Sequence, residues 1–256
     1  MVGLGNKRSP QRRREHGGCR EKNSNQEATK QSQPLRSTPL CVKLQRMKST
    51  KSSVTEFRET LEDEASTYRI TFTVNELDTL SKYYELLHVW NSRLHLVAPS
   101  SPKVFATRHV LESLLLLKHL PEGARIADIG SGAGLPIIPC LITRPDIHAV
   151  LIETSKKKAI FLREALNATA TSNRATVIAE RFENTDPPEV GFITSRALER
   201  FEQMLPQLLS WAPSASELLL FGGEGLGRKI EESGLAVVKN LIARSHRRFL
   251  FVISKP

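Results

Sequence analysis

Cysteine is scarce in these 256 residues: there are three, Cys19, Cys41 and Cys140, and no two of them share a CxxC spacing. That rules out reading a full disulfide framework, a zinc site or a redox motif, and Cys140, inside an apolar run, reads as a small core residue. Long apolar runs are missing as well. No stretch reaches 18 apolar residues and no apolar h-region follows Met1, so the chain is expected to be neither secreted nor membrane-spanning and to work in the cytoplasm. No internal repeat is visible either, which sets aside solenoid and propeller architectures.

Acidic residues are scarce at one end only. The first 53 residues hold 13 of the 37 Lys and Arg but 3 of the 27 acids, leaving 24 of each sign for residues 54–256. The whole excess of +10 therefore belongs to the tail. Its sequence, KRSPQRRREHGGCREKNSNQEATKQSQPLRSTP, has almost no apolar clusters and cannot bury enough surface to offset its ordering entropy. Residues 1–53 are thus expected to be a disordered basic extension, serving either as an RNA-holding arm or as a solvated appendage. A start at Met47 would remove most of it.

Beyond the tail, two helical segments are expected. VNELDTLSKYYELLHVWNSRLHL places Leu77, Leu80, Tyr84, Leu87 and the Val89/Trp90 pair near helical spacing, and ATRHVLESLLLLKHL (106–120) leads into Pro121 and Gly123. Together, residues 54–122 read as a helical N-terminal cap. From 123 to 256 apolar strands alternate with helices: strands at 125–130, 148–153, 175–180 and 191–196, then a helix LERFEQMLPQLLSW and a strand SELLLFG. This alternation implies an α/β fold, a Rossmann-like parallel sheet covered by helices on both faces. LAVVKNLIA and RRFLFVIS should close it as an antiparallel, hairpin-like edge.

Between the first strand and its helix lies DIGSGAGLP, residues 128–136. In the dinucleotide fingerprint G-x-G-x-x-G, the third glycine lets the helix pack close beneath a pyrophosphate. Here Gly130 and Gly132 match, but the third position is Leu135, which argues against NAD and FAD. The spacing Asp128-x-Gly130-x-Gly132-x-Gly134 instead lets backbone approach a ligand with no pyrophosphate, such as S-adenosylmethionine (SAM). The second strand ends in Glu153, where an acid can bond both ribose hydroxyls of an adenosine; capping the following Lys-rich helix is the plainer alternative.

Several segments in order then resemble the RsmG (GidB) family, methyltransferases that place a methyl group on guanine N7 of small-subunit ribosomal RNA. They are YYELLHVWNSRLHL, TRHVLES, DIGSGAGLPIIP with ITRPD, LIETSKKKAIFLRE, ERFEN, ITSRA and HRRFLFVISK, and the resemblance covers about residues 74–256. It implies a class I SAM-dependent methyltransferase sheet in which Gly130 and Leu135 line the cofactor loop and Glu153 holds the ribose. Phe182 and Glu183 should flank the adenine, with core packing the alternative for the ring. Arg196 matches a position at the cofactor and substrate cleft, and with His109 it would position the reactants. Arg108 and Lys156, Lys157 and Lys158 would face RNA phosphate, although charges of this kind also occur on plain solvated helix faces. Two departures stand out. His95, Leu96 and Val97 replace the family's Asn-Leu-Thr, and Gly222-Gly223 replaces its Lys-Gly after the fifth strand.

The resemblance implies 16S ribosomal RNA or the 30S subunit as partner, a monomer, and no membrane or metal. Guanine N7 carries a lone pair and no proton, so no general base is expected; the work is positioning and electrostatic preorganisation. The target nucleotide should be splayed out of its stack. Two other classes remain open: a ribosomal-RNA-binding assembly factor without activity, and a SAM-dependent methyltransferase with a small-molecule acceptor.

Overall fold

A computed structural model describes the backbone at residues 39–196 and 201–255 and side chains from residue 52 onward. The arm at residues 1–38 lies outside the described residues. Helix α1 (Pro39–Glu64) starts inside the stretch expected to be an extension, so the boundary drawn at residue 54 falls within a helix. Between residues 40 and 64 there is neither Gly nor Pro to stop it. Its second half brings Phe57 flat against Tyr84 of α2 (Val74–Leu94), ring centroids 4.3 Å apart.

A capping box starts α2. Thr73 Oγ accepts from the Glu76 amide at 3.3 Å and Glu76 returns a carboxylate to the Thr73 amide at 2.6 Å. The buried stripe is Leu77, Leu80, Tyr83, Tyr84 and Leu87. Val89, expected near that stripe, is 68 % exposed, because at 100° per residue it sits on the solvent side while Trp90 turns inward against Phe161. Next comes the short α3 (Pro102–Phe105). The single helix expected over 106–120 is instead a π-helical turn (Ala106–Leu111) followed by a 3₁₀ stretch (Ser113–His119).

The sheet has seven strands in the order β3-β2-β1-β4-β5-β7-β6. Strands β1 (Arg125–Ile129), β2 (His148–Ile152), β3 (Ala175–Ile178), β4 (Phe192–Ser195) and β5 (Glu217–Gly222) are parallel neighbours. The last two, β6 (Val237–Leu241) and β7 (Phe249–Ser254), are antiparallel as expected, but β7 inserts beside β5 and leaves β6 at the edge. Alternation along the strands divides the core. Ile126, Leu219 and Phe221 pack with α1, α2, α4 (Ile137–Thr143) and α5 (Lys156–Ala168), whereas Ala127, Ile129, Leu218 and Leu220 pack with α6 (Phe201–Trp211) and α7 (Glu224–Glu232). The sheet is thus covered on both faces. The helices ahead of residue 123 belong to the same apolar cluster as the sheet.

Register sets the site. Ile129 pairs with Ile152, Ile152 with Ile178, and Asp128 with Thr194, so the carboxyl ends of four strands lie along one edge. Ligands of open α/β sheets bind outside that edge.

Candidate active site

At that edge is a cavity of about 820 Å³ whose lining includes Gly130, Ser131, Gly132, Ala133, Leu135 and Glu153. The loop after β1 is folded by backbone bonds: the Gly130 and Ser131 amides both donate to the Ile152 carbonyl, at 2.9 and 3.1 Å, and the Gly134 amide to Ser131 O at 2.6 Å. The glycines are required for it. Gly134 has φ +79°, and a Cβ there would meet Ile138 Cδ1 at 2.3 Å. Gly134→Ala is therefore expected to cost about 2 kcal/mol, the sum of left-handed strain and overpacking, seen as a lower midpoint in urea unfolding; an unchanged midpoint would mean the loop has another way to close. Tyr83 supports the loop from below, its hydroxyl donating to Ala133 O at 2.6 Å.

Glu153 is buried beside this loop, with 7 % relative exposure. Its Oε2 accepts from the Gly132 amide and its Oε1 from the Ser155 amide, both at 2.8 Å. Each carboxylate oxygen has a second acceptor site left. The helix-capping alternative is only partly realised: Ser155 is the N-cap of α5, its hydroxyl accepting from the Lys158 amide at 3.4 Å.

Asp128 does not line the cavity. Its side chain points to the Ile126 face of the sheet, where both carboxylate oxygens are buried with no hydrogen-bond partner among the described residues. Burial pushes its pKa up to about 8, Glu153 adding to the same effect. Asp128, expected among the cofactor-binding residues, is thus placed behind the loop and outside the cavity lining. Below the unfolded value of about 3.8 this acid is neutral in both states; as pH rises toward 8 the unfolded chain loses the proton first and stability falls. Asp128→Asn should therefore gain on the wild type in melting temperature between pH 4 and pH 8, and a difference constant across that range would contradict the buried-acid account.

Phe182 takes the core-packing alternative. Its ring lies in the core, 4 % exposed and edge-on to Trp211 at 5.5 Å, because the 3₁₀ turn Phe182–Asn184 points it inward beneath α6. Its neighbours Arg181 and Glu183 line the cavity and pair at 2.9 Å. Of the lysines, Lys158 lines the cavity while Lys156 and Lys157 are exposed; among the described residues none pairs with Glu153.

His109 and Arg196 line the same cavity as the glycine loop. The π turn prepares the arginine's seat. The Glu112 amide bonds to Thr107 O at 3.2 Å, which leaves the Arg108 carbonyl without its usual helical donor. Arg196 takes it, together with His109 O at 3.3 Å, Ser113 Oγ at 3.1 Å and the Glu112 carboxylate at 3.2 Å. Arg248 Nη1 reaches both oxygens of the same carboxylate at 2.6 Å. Burial pushes Glu112 upward in pKa against the two guanidiniums. His109 is pushed down to about 4, first by burial and then by the nearby arginines, so its imidazole is neutral near pH 7.

Several wall residues were not among the site residues expected from the sequence, among them Leu96, Val97, Thr154 and Met204. Asn91 fastens Val97, its side chain donating to Val97 O at 3.1 Å and accepting from Val97 N at 2.9 Å. The departure from the family at residues 95–97 was the available pointer, since it falls on the cavity wall. Gly222 is tightly enclosed: a Cβ there would meet Leu226 Cδ2 at 2.4 Å, so the family lysine has no room here unless the Leu226 side chain moves.

The family described as "GidB: rRNA small subunit methyltransferase G" matches residues 76–247. The chain belongs to the GidB family. Among curated members, "Ribosomal RNA small subunit methyltransferase G" of Nitrosomonas eutropha is 38 % identical over 133 residues, 50 % of this chain and 61 % of that protein. Its namesake in Rhodopseudomonas palustris is 34 % identical over 177 residues, 67 % and 74 % of the two chains. In Xanthomonas axonopodis the figures are 40 % over 126 residues, 47 % and 56 %. The chain thus spans less than two thirds of the length of the first and third. A solved structure similar in outline is the mitomycin 7-O-methyltransferase MmcR, with TM-score 0.49 and 16 % identity over 67 % of this chain and 60 % of that one. The fold is a Rossmann-like α/β sheet with helices on both faces. What binds the GidB cavity follows from its lining.

Proposed function

We propose that this GidB chain transfers a methyl group from SAM to N7 of a guanine in 16S ribosomal RNA, on naked RNA or in the 30S particle. The observation that carries the reading is the glycine-walled cavity bordered by Glu153, in a chain of this family. The volume of about 820 Å³ lies in the range of small-molecule and cofactor sites. Gly132, at φ +53°, lines the cavity with no side chain, the position of a Cβ there lying 3.7 Å from the Gly130 carbonyl, so a ligand can approach its backbone. Glu153 would hold the ribose hydroxyls with its remaining lone pairs, and Leu135 and Glu183 would border the adenine, with Phe182 supporting that wall from the core.

Bound SAM supplies an electrophilic methyl on a sulfonium. Positioning is the protein's part. Arg196, fixed by four acceptors, holds its part of the cavity wall at a constant place, and neutral His109 lines the cavity without adding positive charge to it. Because N7 loses no proton, His109 need not act as a base. Among the described residues, no helix is long and apolar enough to cross a membrane; a monomer working in the cytoplasm completes the reading. The test is transfer of labelled methyl from SAM to 16S RNA and 30S subunits lacking the modification, with mass spectrometry of the nucleosides. Label on guanine N7 is expected; SAM binding without any transfer to RNA would overturn it.

A further inference from the structure

A second depression, about 660 Å³, lies on the other side of the π turn from the cofactor cavity. Tyr68 and two segments wall it, α3 with the turn after it and the link between β6 and β7. Between them they contribute Lys103, Arg108, Arg244, His246, Arg247 and Arg248, against one acid, Glu112. That acid is 1 % exposed and already committed to Arg196 and Arg248. Arg244 is paired with Glu64 at 2.7 Å. Among the described residues no carboxylate pairs with Lys103, Arg108 or Arg247, and all three are exposed. Residues 54–256 carry equal numbers of the two charges, so such one-sided clustering is a local arrangement.

We infer that this groove is the RNA-phosphate track that delivers the target nucleotide to the cavity. The inference rests on the ribosomal RNA reading above and joins Lys103 and Arg247 to Arg108 as one phosphate-facing surface. Continuity with the cavity argues for it. Arg108 lines the groove and His109 the cavity, and the carbonyls of both hold the Arg196 guanidinium. One turn of chain is therefore the shared wall. A strand whose phosphates lie along Lys103, Arg108 and Arg247 has the cavity mouth on the far side of that wall, where a splayed base is to enter. Lys156 and Lys157, on α5, are a separate patch.

Full-length protein and unmodified 16S RNA transcribed in vitro provide the test, by filter binding over about 50 to 200 mM salt. Lys103→Gln with Arg247→Gln is expected to weaken binding roughly tenfold and to flatten the slope of log K against log salt by about 1.4 to 1.8, because two phosphates are no longer neutralised. Calorimetric affinity for SAM should not change. The charge-keeping pair Lys103→Arg and Arg247→Lys should retain the wild-type slope, which separates removal of charge from damaged folding. Wild-type affinity and slope in the Gln pair would overturn the groove. Methyl transfer to RNA by wild type together with that result would leave the reaction standing and the groove fallen; weakened binding by the Gln pair of a protein whose wild type transfers no methyl would do the reverse.

Discussion

Glu112→Ala is expected to destabilise the fold by about 3–5 kcal/mol, because it strands a buried guanidinium. The Arg196 side chain is 14 % exposed and that of Glu112 2 %, so both charges are largely withdrawn from water. Burial pushes the Arg196 pKa down, and the Glu112 carboxylate is the first influence acting against that. Urea unfolding at pH 7 measures the effect. Removing all three charges together, as Glu112→Met with Arg196→Met and Arg248→Met, should recover a large part of the loss, since apolar groups of similar size leave no unpaired charge. A single variant within about 1 kcal/mol of wild type would mean the network is far better hydrated than its burial allows.

Glu153→Ala carries the other large expectation, a fall in SAM affinity on the order of a hundredfold or more. Two hydrogen bonds from hydroxyls to a carboxylate would be removed at about 1.5–3 kcal/mol each before compensation by water. The same carboxylate receives the Gly132 amide, so its removal also loosens the loop. Calorimetric titration with SAM reads the change, and Glu153→Gln should lie between wild type and Ala because it keeps one carbonyl acceptor. Full affinity in the Ala variant would move the ribose elsewhere in the cavity.

Local pattern made part of this legible from sequence. The β1 loop and the strand-end position of Glu153 were readable because a short apolar run, a glycine spacing and a strand-end acid all fall within about one βαβ unit. The direction of side chains was harder. Asp128 sits in the motif, yet strand alternation turns it away from the cavity, and Phe182 is turned inward by a three-residue 3₁₀ segment whose core partner, Trp211, is far along the chain. Long-range polar contacts left no trace at all. Glu112 meets Arg196 across 84 residues and Arg248 across 136, and no periodicity encodes such separations. The π turn was invisible for the same reason, being stabilised by an arginine from β4's end.

One tyrosine hydroxyl limits how this molecule can be taken apart. Tyr83 in α2 holds the Ala133 carbonyl across 50 residues, so the segment ahead of the sheet is part of the mould in which the glycine loop is cast. A chimera that grafted residues 123–255 behind foreign helices would carry every glycine of the motif and lose the surface against which they are shaped. Recombination between relatives is therefore expected to tolerate a crossover in the α6 to α7 region more readily than one between α2 and β1, and the transferable unit for cofactor recognition begins with the tyrosine rather than with the first glycine.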